Sequence, residues 1–278
     1  MSARGAEESR RPEGVEWLLV GAALAYAGIL LAGPLVAMVA GAFARGGGEF
    51  VRQVTSPDAL HALQLTLGIA VAATILNTVL GTAVAWVLVR HDFPGRTFAN
   101  ALVDLPFAVS PVIAGFMIVL LFGREGWLAP GADLLGVNVV FALPGMWLAT
   151  TFVALPFVIR EVMPVLAQLG VEQESAAYTM GAGPWQTFRR VTLPGIRWGL
   201  LYGISLTLAR AIGEFGAVLV VSGSVTGLTE TATLFIFRSL DDRNEVAAYA
   251  MSTVLALISF TVLIVMELLR KRTRMEGT

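Results

Sequence analysis

The chain has 278 residues, of which 56% are hydrophobic and only 14% charged, with a formal net charge of −1 and a mean hydropathy of +0.75. A soluble domain carries about 25% charged residues; 19 basic and 20 acidic side chains cannot cover a water-facing surface of this size, so the composition is that of an integral membrane protein. The balanced charge gives no general attraction to polyanions and argues against a nucleic-acid binder, while the absence of cysteine excludes a disulfide framework, a thiolate nucleophile and a cysteine-based metal site.

In chain order, residues 1–16 form a polar arm, and residues 17–44 are free of charge. That stretch exceeds the roughly 7–15 apolar residues of a signal-peptide core and satisfies the roughly 20 that a helix needs to cross a bilayer. It is the first expected span. The others are 63–89, 99–122 (interrupted only by Asp104), 139–159, 198–222 (with Arg210 and Glu214 inside) and 246–266, followed by a short tail, 271–278. Lipid offers no partner for backbone N–H and C=O groups, which makes these segments helical and the fold all-α. Their alanine and glycine content suits close helix contact, and the alternation of a membrane β-barrel is absent. With the N-terminus inside, the inner segments hold 13 lysines and arginines and the outer loops 5, a bias that puts both termini in the cytoplasm.

Inside the third span, Pro106 and Pro111 predict a bent or interrupted helix. Asp104, near its cytoplasmic end, either caps that helix or pairs with a basic neighbour. The stretch 104–116, with Ser110, is a candidate gate wall. In the fifth span, Arg210 and Glu214 stand four apart, hence on one helix face. A charge at mid-bilayer costs several kcal/mol unless it is paired or hydrated. The pair is either a self-satisfying bridge that fixes helix rotation or a functional site in which Arg210 faces a solute path and Glu214 orients it. Two histidines, His61 and His91, are separated by a full span, which argues against a shared metal. No catalytic residue, metal site or cofactor is expected.

The connection 160–197 is nearly 40 residues long. Glu172–Met180 consists of good helix formers, Gly181 and Gly183 break that helix, and Pro184 can open a second one at its first turn. Trp185, Phe188 and Val191 then recur at three-residue steps, and Leu193-Pro194 closes the unit ahead of the fifth span. Two readings fit: a pair of short helices offered to a cytoplasmic partner, or an amphipathic helix resting on headgroups.

The spacing resembles the cytoplasmic signature loop of binding-protein-dependent ABC importer permeases: Glu-Ala-Ala, three residues, Gly, nine residues, Ile, one residue, Leu-Pro. Here Ser175-Ala176-Ala177, Gly181, Val191 and Leu193-Pro194 fall at those positions, with Ser175 where the glutamate stands and Glu174 just before it. The stretches DLPFAVSPVIAGF (104–116), PFVIREVMPVL (156–166), RRVTLPGIRWGLLYG (189–203) and ARAIGEFGAVLVVSG (209–223) resemble the sulfate/thiosulfate permeases, close to the molybdate and tungstate permeases. Within that group they are more similar to the W-type subunit than to its T-type sister.

The resemblance implies a six-helix type I ABC importer transmembrane domain over 17–270, in the bacterial inner membrane, with a coupling helix in 160–197. It implies a non-enzymatic subunit standing on a cytoplasmic ABC ATPase dimer. The expected companions are a second permease, either the T-type sister or an identical copy, and a periplasmic sulfate/thiosulfate-binding protein. The chain has no GxxxxGK[ST] phosphate loop of its own. The expected ATPase-coupling residues are Glu174, Ser175, Ala176, Ala177, Gly181, Pro184, Trp185, Phe188, Leu193 and Pro194. The expected pathway or gate residues are Arg210, Glu214, Asp104 and Ser110, with Arg210 lowering the barrier for a dianion. A molybdate or tungstate permease is the near rival. An ion-coupled secondary transporter would place several ionisable groups at midplane and show internal repeats. An intramembrane enzyme would need a nucleophile and base at depth, and none is visible.

Overall fold

The computed structural model describes the backbone of residues 14–275 and the side chains of residues 17–268. Most of the expected arm lies outside the described residues, as do the last three residues of the tail. All regular structure among the described residues is helical. The order is α1 (Gly14–Ala42), α2 (Gly47–Val54), α3 (Pro57–Arg90), α4 (Arg96–Val103), α5 (Leu105–Ala108), α6 (Pro111–Phe122), α7 (Ala129–Leu134), α8 (Leu143–Leu169), α9 (Glu172–Thr179), α10 (Pro184–Thr187), a π-helical turn (Phe188–Thr192), α11 (Leu193–Ile212), α12 (Gly216–Ser222), α13 (Ala232–Asp241) and α14 (Glu245–Met275).

Among the described residues, four helices are long and apolar enough to cross a membrane: Trp17–Ala42, Pro57–Arg90, Leu143–Leu169 and Glu245–Leu268. The pair Pro184–Ile212 and Gly216–Ser222, bent by 55°, is long and apolar enough when taken together and forms a broken span or a re-entrant loop. The centre of the bundle is α3, α8 and α11. α3 starts where Ser56 Oγ accepts from the Ala59 amide and Pro57 stands at the first helical position, a combination that satisfies one orphan donor and removes another. Small side chains (Ala70, Ala73, Gly81, Ala85) line its buried face, and Gly203 of α11 packs so near α8 that an added Cβ would stand 3.0 Å from Val158 Cα. Without a hydrophobic drive between helices in lipid, such close backbone approach supplies the packing energy. Threonines in α3 return their hydroxyls to the carbonyl four residues back, as Thr66, Thr74, Thr78 and Thr82 do, so each hydroxyl proton is satisfied within the helix. α1 and α2 lie on α14, α13 lies on α14 and α3, and α6 runs beside α12.

One expectation is met and two change. The span 99–122 is interrupted as its prolines predict: Asp104 ends α4, Pro106 sits in the first turn of α5, and Ser110-Pro111 restarts the chain as α6. Proline removes a backbone donor and clashes with the preceding turn, so only the 12-residue α6 is a long apolar piece. The fourth span continues past 159 to Leu169 and takes Arg160 into the helix despite Pro156 and Pro164. The connection between helices therefore shrinks to a short region around α9. Finally, Leu193-Pro194 does not end a unit. Pro194 has no N–H to donate backward, and the chain widens instead into a π turn in which the Leu193 amide reaches Phe188 O. Helix thus runs from Pro184 to Ile212.

The bundle has two ends. At the lower end α3 and α8 finish and α9 and α10 lie; at the upper end α3, α8 and α14 begin.

Candidate coupling segment and ion pairs

At the lower end, α9 opens with Glu172 and Glu174 in its first turn, where carboxylates complement the positive helix terminus. It closes at Gly181, whose φ of +85° suits glycine. The Gly181 amide bonds to Tyr178 O at 2.9 Å and the Ala182 amide to Ala177 O at 3.0 Å, turning the chain sharply toward α10. Ser175, Ala176, Met180 and Pro184 are exposed and Ala177 is buried. Trp185 is 71% exposed and stacks on half-buried Phe188 at 5.7 Å between ring centroids. Ala177, Met180, Gly181, Gln186, Thr187 and Arg190 line a cleft of about 330 Å³ between the two short helices. Thr187 Oγ1 is buried there without a hydrogen-bond partner. Leu193 is half-buried and Pro194 exposed, both in the first turn of α11.

Glu174 points inward. Its Oε2 accepts from Arg90 Nε at 3.0 Å and its Oε1 from Thr192 Oγ1 at 2.7 Å and Arg90 Nη2 at 3.3 Å, while Arg90 Nη2 also donates to Gly170 O at 2.6 Å. The Arg90 and Glu174 side chains are only 7% and 11% exposed. Nothing local in the sequence signals this contact, because its partners are 84 residues apart.

A second lower-end pair joins Asp104 to Arg160 through Nε at 2.7 Å and Nη2 at 2.6 Å, with Asn100 accepting from the same guanidinium. Asp104 thus stands at the junction of α4 and α5 but gives its carboxylate to a basic neighbour, with no side-chain cap on α5. This bidentate bond ties the junction of α4 and α5 to α8.

The upper half holds Arg210 and Glu214. They do not share one helix face, because α11 ends at Ile212 and Gly213, Glu214 and Phe215 form the break before α12. The pair nevertheless forms: Arg210 Nη1 stands 2.7 Å from Glu214 Oε2. Glu214 Oε1 accepts from the Ala217 amide at 2.9 Å, and Thr233 Oγ1 donates to Glu214 O at 2.8 Å. Glu214 is almost fully buried and Arg210 partly exposed. Beside this break lies the other one. Gly216 packs on Pro111, and a Cβ on Gly115 would come within 2.5 Å of Ala217 O. Two half-helices therefore start side by side, with exposed Ser110 at the mouth of one.

Sequence reasoning missed a further pair. Glu230, fully buried just ahead of α13, accepts from Arg238 Nε at 2.5 Å and Nη2 at 3.1 Å. That hydrogen bonding holds the Arg238 guanidinium pKa above its ordinary value, against the opposing pull of burial. The Ala232 amide bonds to Thr66 Oγ1 at 2.8 Å, seating α13 on α3. His61 and His91 fall at opposite ends of α3, with His91 edge-on to Trp86.

Residues 77–275 match the family described as "Binding-protein-dependent transport system inner membrane component". The sulfate transport system permease protein CysW of Synechocystis is 48% identical over 93% of this chain and 94% of its own length. The sulfate transport system permease protein CysT of Escherichia coli K12 is 36% identical over 92% of both chains. In fold, the chain is similar to a bacterial ABC transporter involved in alginate import, with a TM-score of 0.75 at 17% identity, covering 93% of this chain and 96% of that one. The broken spans, the helix pair at the lower end and these matches lead to one assignment: the chain belongs to the binding-protein-dependent transport system inner membrane components, the permeases of ABC importers.

Proposed function

We propose that this chain is the membrane-spanning subunit of an ATP-driven importer of sulfate and thiosulfate. The observation that carries the reading is the 48% identity to a sulfate permease across nearly the whole of both chains. The identity to a T-type relative is lower, 36%, which supports the W-type role and a T-type sister as the second permease. The family description itself speaks of a binding protein and an inner membrane. A periplasmic sulfate/thiosulfate-binding protein and a cytoplasmic ABC ATPase dimer complete the complex. ATP hydrolysis belongs to that dimer.

On this reading the chain is one six-pass domain over 17–270, the lower end is cytoplasmic and both termini are inside. The helix pair α9–α10 docks on the ATPase. Small side chains at 176, 177 and 181 admit the partner backbone, and Trp185 and Phe188 supply aromatic anchors of the kind that carry interface energy. Closure of the ATPase dimer on nucleotide moves the pair as a body. The motion passes through α11 to the break at 213–215 and to the adjoining break at Ser110-Pro111, where the path opens. Arg210, facing partly free space beside these breaks, offsets the charge of a passing dianion. Its binding stays weak because Glu214 already takes much of its field, and weak binding favours release.

The test is rescue of a sulfate-uptake-deficient bacterial strain by the chain expressed with its companion subunits, with molybdate as competitor. Growth on sulfate that excess molybdate does not suppress supports the proposal. No rescue on sulfate, with molybdate uptake instead, would replace it by the oxyanion rival. Uptake that follows an ion gradient rather than ATP would move the chain out of the importer class.

A further inference from the structure

Resting on the importer reading, we propose that Arg90 is a positioning residue for transport: it locks the coupling helix to the transmembrane core, so that the energy of ATP closure reaches the gate. The geometry is a four-way joint. Arg90 ends α3, Gly170 ends α8, Glu174 belongs to α9, and Thr192 closes the π turn that leads into α11. One buried carboxylate and one buried guanidinium connect all four through the bonds at 2.6 to 3.3 Å described above.

The elements joined are the two that receive a push, α9 and the turn below α11, and the two that must respond, α3 and α8. Peptide connection alone would transmit such a push poorly. Gly170 and Gly181, at the two ends of α9, both have positive φ and interrupt the helices there, and a rotation imposed on α9 would dissipate in those bends. A charge-assisted, bidentate bond is both stronger than a neutral one and fixed in angle, so it carries rotation as well as translation. Its burial adds stiffness, since water cannot replace either partner without cost.

The joint also explains the departure at the glutamate position of the signature loop. Ser175 is exposed and uncharged, whereas Glu174, one residue earlier, is turned inward. The acidic group at this place acts within the chain and leaves Ser175 and Ala176 on the outer surface of α9.

The experiment uses the complete importer, purified and placed in proteoliposomes with its binding protein. It measures sulfate imported per ATP hydrolysed. Arg90→Gln lowers that ratio by about twentyfold and Thr192→Val, which deletes one bond at nearly constant shape, by about fivefold, within the roughly 5–150-fold range of ordinary coupling between sites. Arg90→Lys keeps the charge without the fork and falls between wild type and Arg90→Gln. A folding role alone would lower import and hydrolysis together with the amount of assembled complex and leave the ratio unchanged. An unchanged ratio in assembled Arg90→Gln and Thr192→Val complexes overturns the joint, as does failure of both variants to assemble. A wild-type complex that shows no ATP-driven sulfate import overturns the importer reading instead.

Discussion

Two buried carboxylates, Glu174 and Glu214, solve the same problem in opposite ways. Glu174 takes its donors from distant elements, 84 residues upstream at Arg90 and 18 downstream at Thr192, and so ties separate helices into one body. Glu214 takes its partners from its own neighbourhood, an ion pair with Arg210 four residues back and a hydrogen bond from the Ala217 amide three ahead, and so stabilises a break within one segment. A charge at depth costs several kcal/mol without a partner, yet where the partner lies decides what the pair does. The lower pair stiffens a joint, and the upper pair maintains a bend next to a second bend. On the proposed reading, force is transmitted where helices are locked together, and a path opens where they are interrupted.

The strongest way to break this comparison is at Arg210. Arg210→Leu reduces sulfate uptake by more than about a hundredfold while the complex still assembles, since an apolar side chain restores the full barrier to a dianion. Removing both charges with Arg210→Leu/Glu214→Gln then separates the two roles, because the amide oxygen introduced at position 214 would still accept from the Ala217 N–H. If the pair were only a brace, the double variant would regain uptake. With Arg210 on the solute path it stays inactive, as measured by radiolabelled sulfate in proteoliposomes.

Next in size is Glu230→Gln, which removes the buried counter-ion of Arg238 and leaves it only the longer contact to exposed Asp242 at 3.6 Å. Breaking a fully buried pair costs roughly 3–5 kcal/mol, and the partial exposure of Arg238 reduces this to about 2 kcal/mol here. Thermal unfolding of the purified complex checks it, and transport per assembled complex remains near wild type, because this pair seats α13 and joins neither the coupling joint nor the breaks. Smaller again is Trp185→Ala. Truncation of an aromatic anchor that stacks within its own chain weakens ATPase binding by about tenfold, read by titration of the detergent-solubilised permease with the ATPase subunit.

The contrast between the two regions also accounts for what could be read from the residues. The lower helix pair is written in local punctuation: Gly181, Gly183 and Pro184 act within a few residues, and α9 and α10 lie where they predict. The break in the third span is legible for the same reason, through Pro106 and Pro111. The end expected at Leu193-Pro194 does not form, because a proline in the first turn of a helix can be absorbed by a π turn behind it. The bend at 213–215 contains no proline, and a charge pair at a spacing of four reads as one helix face. What opens the bend is the Glu214 bond to the Ala217 amide and support from Thr233, 19 residues on. The Arg90 joint and the Glu230–Arg238 pair are tertiary contacts with no periodic signature, and Arg90, Arg160 and Arg238 could be counted only as charges on one side or the other.

On the proposed reading, α9 and α10 are gripped by a nucleotide-hydrolysing partner, and the chain's lack of cysteine makes a direct test clean. Trp185→Cys introduces a single thiol on the exposed face of α10. Crosslinking in intact cells that carry the full importer should capture the ATPase subunit at this position, in a yield that changes when nucleotide is trapped. Capture of lipid-facing or unrelated neighbours alone, with no nucleotide-hydrolysing protein attached, would contradict that grip.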